Sequence, residues 1–192
     1  MNRRKLKALV FGDYFFNIAF SALGFLALSW IFSFSWGHLA HGIIFTISMF
    51  LFMYSKGALA AKIDLREKKT PMINALKLVL PLVITLVLLI FVYSLIYFNI
   101  IPAGDNVLKT IISDDKTAAL TVKDVASFIV RILFLNITGL LKESPTNPFS
   151  LLISPFVILA GSLSGYYFGR KKVYILDILT KVKDSIVKKF NE

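Results

Sequence analysis

Asp13 stands in a long apolar run near the start of the chain, with Asn17 and Ser21 following it at i+4 and i+8. On a helix these three share one stripe. An unpaired carboxylate in hydrocarbon is costly, so the stripe must face protein or water. Lys56, preceded by Tyr54 and Ser55, lies in a second apolar run. If the two helices are antiparallel it reaches the depth of Asp13, and the spacing predicts an Asp13–Lys56 ion pair. As chemistry this is a gate for a proton or ion. As architecture it is a brace between two helices, or a lysine that snorkels to the interface.

Other candidate groups are sparser. His38 and His41, at i,i+3 beside Trp30 and Trp36, would share a helix face, but a zinc site needs three or four ligands and no cysteine or nearby carboxylate completes one. They read as interfacial histidines with no metal; a pH-sensing role would rest on the histidine pKa alone. Asp105, Asp114, Asp115 and Asp124 follow no EF-hand spacing and read as a solvated loop. The absence of cysteine excludes a disulfide scaffold, a thiolate metal site and a cysteine nucleophile. The sequence has no HExxH, GxSxG, Walker or dinucleotide glycine motif, and no pair of intramembrane aspartates. The expectation is a protein that is not an enzyme and holds no cofactor.

The elements that must position these residues are membrane helices. Of 192 residues, 57% are hydrophobic and 17% charged, which nearly excludes a water-soluble domain. About 20 apolar residues cross a 30 Å hydrocarbon core, and runs of that length occur at about 9–34, 39–61, 78–101 and 151–168. The chain therefore reads as an all-α bundle, one membrane domain over 1–192 with four transmembrane helices. The basic start, Arg3, Arg4, Lys5 and Lys7, precedes a run too long for a signal-peptide core, so the first helix is expected to be retained.

Charge sets the orientation. With both termini inside, 17 of the 22 Lys and Arg lie on the cytoplasmic side, while the outer segment 102–150 balances five basic residues with five acidic ones. That asymmetry accounts for the net charge of +11 without nucleic acid. Within the outer segment, Thr121 to Asp124 resembles a helix start, and Asp124, Ser127, Arg131, Thr138 and Lys142 fall on one stripe of an otherwise apolar helix. A fifth crossing would place the basic C-terminus outside and Arg131 in hydrocarbon, so an outer interfacial or re-entrant amphipathic helix is expected. Asn136-Ile-Thr138 also matches a glycosylation sequon, but within that apolar helix. Pro145, Asn147 and Pro148 form the turn into the last span.

Two further faces suggest contacts. Gly161, Gly165 and Gly169 recur every fourth residue in the last span, with Gly57 and Ala61 as a shorter small-residue pair in the second. Such faces let helix backbones approach closely without saying whether the neighbour is in the same chain, a second copy or another protein, and the functional reading is a structural or accessory protein packing through the glycine face with a second copy or a partner membrane protein. The alternative is a small transporter or channel component with Asp13, Asn17 and Lys56 lining a polar path. In the tail 169–192, Ile175, Leu179, Val182, Ile186 and Phe190 form an apolar stripe with Lys181, Lys183, Lys188 and Lys189 off it. This is a cytoplasmic amphipathic helix facing lipid or a partner. Tyr93, Tyr97 and Phe98 look like an aromatic belt, and Pro81 and Pro155 are tolerated near the starts of their spans.

The segment Gly165-Tyr-Tyr-Phe-Gly169 followed by Arg170-Lys-Lys172 resembles the endings of small, functionally uncharacterised multi-span membrane proteins of low-GC Gram-positive bacteria. The likeness covers the final quarter of the chain. It implies a bacterial plasma membrane and no particular activity.

The topology predicts that a cysteine at Asp114 is labelled by an impermeant thiol reagent in intact cells, while one at Lys171 is labelled only after lysis. Labelling at Lys171 in intact cells would overturn the four-span arrangement.

Overall fold

The structure is a computed structural model and describes residues 3–27, 36–66, 73–101, 122–138, 140 and 147–172. The helices are α1 (Arg3–Ala27), α2 (Gly37–Arg66), α3 (Ile73–Tyr97), α4 (Val122–Leu133), α5 (Leu135–Thr138) and α6 (Ile153–Arg170), the last entered through a 3-10 turn at Pro148–Leu152. Among the described residues there is no strand. Four helical stretches are long and apolar enough to cross a membrane: Lys5–Ala27, Gly37–Arg66, Ala75–Tyr97 and Pro148–Arg170. The chain is thus an all-α, multi-pass membrane protein.

The boundaries differ from those expected, for local reasons. The basic N-terminal residues are themselves helical, so α1 starts several residues before 9. The second helix runs on to Arg66 because its basic-end turns are packed against α6 and carry the buried Asp64. The third ends at Tyr97 rather than near 101. Asn99 takes φ 55, and Ile100 N–H reaches back to the Leu95 carbonyl at 2.9 Å. Asparagine tolerates that left-handed position, and Pro102 follows as a further stop. At the start of the last span, Asn147 Oδ1 accepts from Phe149 N–H at 3.0 Å, the turn expected from its sequence. The described basic residues Lys5, Lys7, Lys62, Arg66, Lys77, Arg170 and Lys171 gather at one end of the bundle, called here the basic end.

Helix α2 is the hub, and its most extensive contact is with α6. The two run parallel in constant register: Gly161 faces Phe50, Gly165 faces Tyr54 and Gly169 faces Ala58. A Cβ on Gly161 would lie 2.7 Å from the Phe50 carbonyl oxygen, and one on Gly165 would overlap the Tyr54 carbonyl. Gly57 fits reciprocally between turns of α6, against the Ser162 carbonyl. Membrane helices associate through this kind of backbone approach because lipid offers no hydrophobic drive between them. The glycine face expected to meet a second copy or a partner is therefore occupied by α2 of the same chain.

The outer segment holds a larger surprise. Instead of one continuous helix over 125–141, α4 stops at Leu133 and a short α5 follows after Phe134. The start of α4 lies at the far end of α3, with Lys123 Nζ 4.6 Å from the centre of the Tyr97 ring. Its end lies against Tyr14, and α5 against Thr46 and Met49, about halfway along α1 and α2. Twelve helical residues advance about 18 Å, enough to reach mid-depth from the far end. The surface of α4 agrees: Ser127 is 5% exposed, while Phe128, at 65%, and Ile129 and Ile132 face outward. The segment, expected to be interfacial or re-entrant, thus runs from the far end of the bundle to its middle, with Ser127, Val130 and Phe134 turned inward and Asp124 exposed near its start. Tyr93, expected in a lipid-facing belt, is buried beside Ser127 and Arg131 of α4, whereas Phe98 is exposed. The tail carrying Lys181, Lys183, Lys188 and Lys189 lies outside the described residues.

Gly165→Ala should destabilise the bundle by about 1–3 kcal/mol, since the added methyl meets backbone that cannot yield. Gly12→Ala, where a Cβ meets nothing within 4 Å, should leave stability unchanged or slightly raised. Unfolding in detergent with increasing SDS compares the two; equal behaviour would contradict the α2–α6 contact.

Candidate functional site

The antiparallel packing of α1 on α2 closes the expected ion pair, with Lys56 Nζ 3.1 Å from Asp13 Oδ2. Asp13 retains 22% side-chain exposure and Lys56 18%. Because α1 begins at Arg3, the pair lies about 15 Å along the helix from its start. Two more rungs follow along the stripe. Asn17 Nδ2 donates to Ser48 Oγ at 3.1 Å. His41 Nε2 lies 3.0 Å from the Ser21 carbonyl and 3.2 Å from Ser21 Oγ. A carbonyl only accepts, so the ring proton sits on Nε2 in this geometry.

The stripe therefore points into the bundle as its spacing required, and Asn17 and Ser21 are fully buried. His41 departs from the reading. Rather than an interfacial loop residue, it is buried, 4.5 Å centre to centre from the Phe45 ring and 5.9 Å from Phe25. His38, one turn away, is exposed, although its ring too lies near Phe25, at 6.1 Å.

At mid-depth the broken helix joins this seam. A helix end leaves carbonyls without partners, and the Tyr14 hydroxyl donates to one of them, Leu133, at 2.9 Å. Thr46 Oγ1 donates to the Asn136 carbonyl at 3.4 Å. Asn136 Nδ2 points at Met49 Sδ, 2.7 Å away, and Ser154 Oγ is 4.0 Å from the same sulfur. Thioether sulfur is a weak acceptor, so this corner is polar but thinly bonded. Asn136 is buried, which closes the sequon to any glycan. Toward the basic end a further pair stands alone from the stripe: Tyr166 OH donates to Asp64 Oδ2 at 2.8 Å, with Arg170 bonding the same tyrosine.

Sequence reasoning missed Tyr14, Asn136, Asp64 and Tyr166. Asp64 had a signal, since it continues the small-residue stripe Gly57, Ala61 at i+3 and so faces α6. Asn136 had none, because its depth depends on a helix break that no glycine or proline marks. Together the groups form a polar seam from Ser21–His41, through Asn17–Ser48 and the α4–α5 break, to Asp13–Lys56. Such a seam can hold a small polar species or relay protons between fixed partners.

Removing the Tyr14 hydroxyl, Tyr14→Phe, orphans the Leu133 carbonyl and should cost about 1–3 kcal/mol in detergent unfolding, with faster proteolysis after 133. Unchanged stability would mean that the break is held by other contacts. The chain matches no family model, no curated protein and no solved structure.

Proposed function

We propose that the chain is a small transporter or channel component of a bacterial plasma membrane, with Asp13, Asn17 and Lys56 on its polar path. The observation that carries this reading is the helix break halfway through the bundle, beside buried Asn17 and Asn136. In a bilayer, irregular backbone at that depth persists only where it is buried in protein or lines a polar path. Discontinuous helices that place polar groups near the midplane are a recurrent way to bind solutes inside a membrane. The basic end is cytoplasmic, both termini lie there, and α4 enters from the outer side, in keeping with the bias of Lys and Arg. The reading assigns no catalytic step and no cofactor; its surroundings are the lipid bilayer.

The second reading is a structural or accessory subunit. It is favoured by the cross-helix bonding of the seam, where Asp13, Asn17 and Ser21 each have a partner on α2. Its original support, a glycine face free for a second copy or a partner, is spent on α2.

Flux of protons or sodium into proteoliposomes decides between them. Wild-type protein should raise flux above empty liposomes, and Asp13→Asn should abolish it with an unchanged elution profile. If wild-type flux equals the empty-liposome rate and Asp13→Asn only lowers thermal stability, the accessory role stands.

A further inference from the structure

Three cations edge one groove at the basic end: Lys5 on α1, and Lys62 and Arg66 on α2, all with exposed side chains. The Asp13–Lys56 contact sets the register of the two antiparallel helices. Lys5 is eight residues from Asp13, about 12 Å along α1, while Lys62 and Arg66 are six and ten residues from Lys56, about 9 and 15 Å along α2. All three thus stand beyond the ion pair at similar depth. With about 3.6 residues per turn, Lys5 and Arg66 each lie under a quarter turn from the faces carrying Asp13 and Lys56, displaced toward the side where Gly12 and Ser55 are exposed. Phe16 and Phe52 lie on that same side and meet edge to face at 6.1 Å, so both helices present it to a single groove. Like charges at i,i+4, as at Lys62 and Arg66, repel, and among the described residues none of the three cations forms an ion pair. Asp64, between the two in sequence, is buried and turned to Tyr166 of α6.

We propose that this groove binds a phospholipid with a net negative headgroup, its phosphate held by Lys5, Lys62 and Arg66. Guanidinium and ammonium groups donate charge-assisted hydrogen bonds to phosphate oxygens. Basic residues at the end of a membrane helix sit at headgroup level, where an anionic lipid is the complementary neighbour. The groove below the cations suits the rest of the molecule. Phe16 is 59% exposed, a Cβ on Gly12 would meet nothing within 4 Å, and Ser55 Oγ donates to the Phe52 carbonyl of its own helix at 2.8 Å. An acyl chain can therefore run past Gly12 onto the two rings without covering an unsatisfied hydroxyl. Asp13 does not oppose the headgroup, because Lys56 neutralises it at 3.1 Å. A free phosphate would answer the cations alone; the apolar strip beneath them selects a lipid. The inference rests on the membrane-spanning fold and not on transport.

The test reads the groove locally in the full chain, which has no native cysteine. Gly12→Cys, labelled with a small fluorophore, is reconstituted in phosphatidylcholine vesicles containing chain-brominated phosphatidylglycerol or chain-brominated phosphatidylcholine, and quenching gives the relative affinity of the two lipids at that place. A second probe at Leu76→Cys, exposed on α3, reads the general preference of the basic end. Phosphatidylglycerol should be preferred at Gly12 more strongly than at Leu76. Lys5→Gln, Lys62→Gln and Arg66→Gln should each lower the preference at Gly12 by about fivefold, with little change at Leu76. All three sites are exposed, and the single variants carry the decision should the triple variant fail to reconstitute. Equal quenching by the two lipids at Gly12 would overturn the site. So would a preference that is the same at both probes and survives the glutamine variants, since it would then belong to the net charge of the chain. Loss of the preference in inorganic phosphate, at constant ionic strength, would make the ligand a free anion and overturn the lipid.

Discussion

Backbone contact between α2 and α6 is the constraint from which the rest of this bundle follows. Three glycines of α6 at every fourth position, and Gly57 of α2 between them, bring the two main chains to distances that no side chain would permit. In lipid, where apolar surface gains nothing by leaving its solvent, dispersion across such a close seam is a principal source of helix affinity. Its parallel register fixes the rotation of α2 about its own axis. With Gly57, Ala58 and Ala61 committed to α6, the polar positions His41, Ser48 and Lys56 are turned toward α1, and Thr46 and Met49 toward α5.

That rotation makes α2 a three-sided element. One side is a dry zipper closed at the basic end by Asp64 and Tyr166. Another is a ladder of polar pairs to α1, in which each costly group finds a partner on the facing helix. The third receives α5, through Thr46 and Met49. Ordering these sides around one helix lets polar atoms lie at mid-depth without exposing them to hydrocarbon, because α1, α3 and α6 surround them while their own apolar residues face outward.

The break between α4 and α5 leaves backbone groups that other helices must satisfy. A helix that ends halfway through a membrane leaves its last carbonyls unsatisfied, and those of Leu133 and Asn136 are answered by Tyr14 and Thr46. The compensation is incomplete at the two asparagine oxygens. The ion pair at Asp13 and Lys56 lies between this region and the basic end.

The order of apolar runs, the basic bias and the i+4 spacing of Asp13, Asn17 and Ser21 were sufficient to read four membrane helices and an α1–α2 ion pair from the sequence alone. Each is a local or periodic property, and hydrocarbon thickness and helix pitch translate such properties directly into structure. Asp64 was legible in principle through the same periodicity. The glycine repeat, by contrast, announced close packing without naming its neighbour, since a small-residue face is complementary to any similar face. Only the tertiary structure assigned it to α2. Likewise Asn136 and Tyr14 look unremarkable in sequence, and His41 looks interfacial. Their burial was decided by where α4 stops, a break with no proline or glycine to mark it, held by contacts to residues about 90 to 120 positions away in the chain.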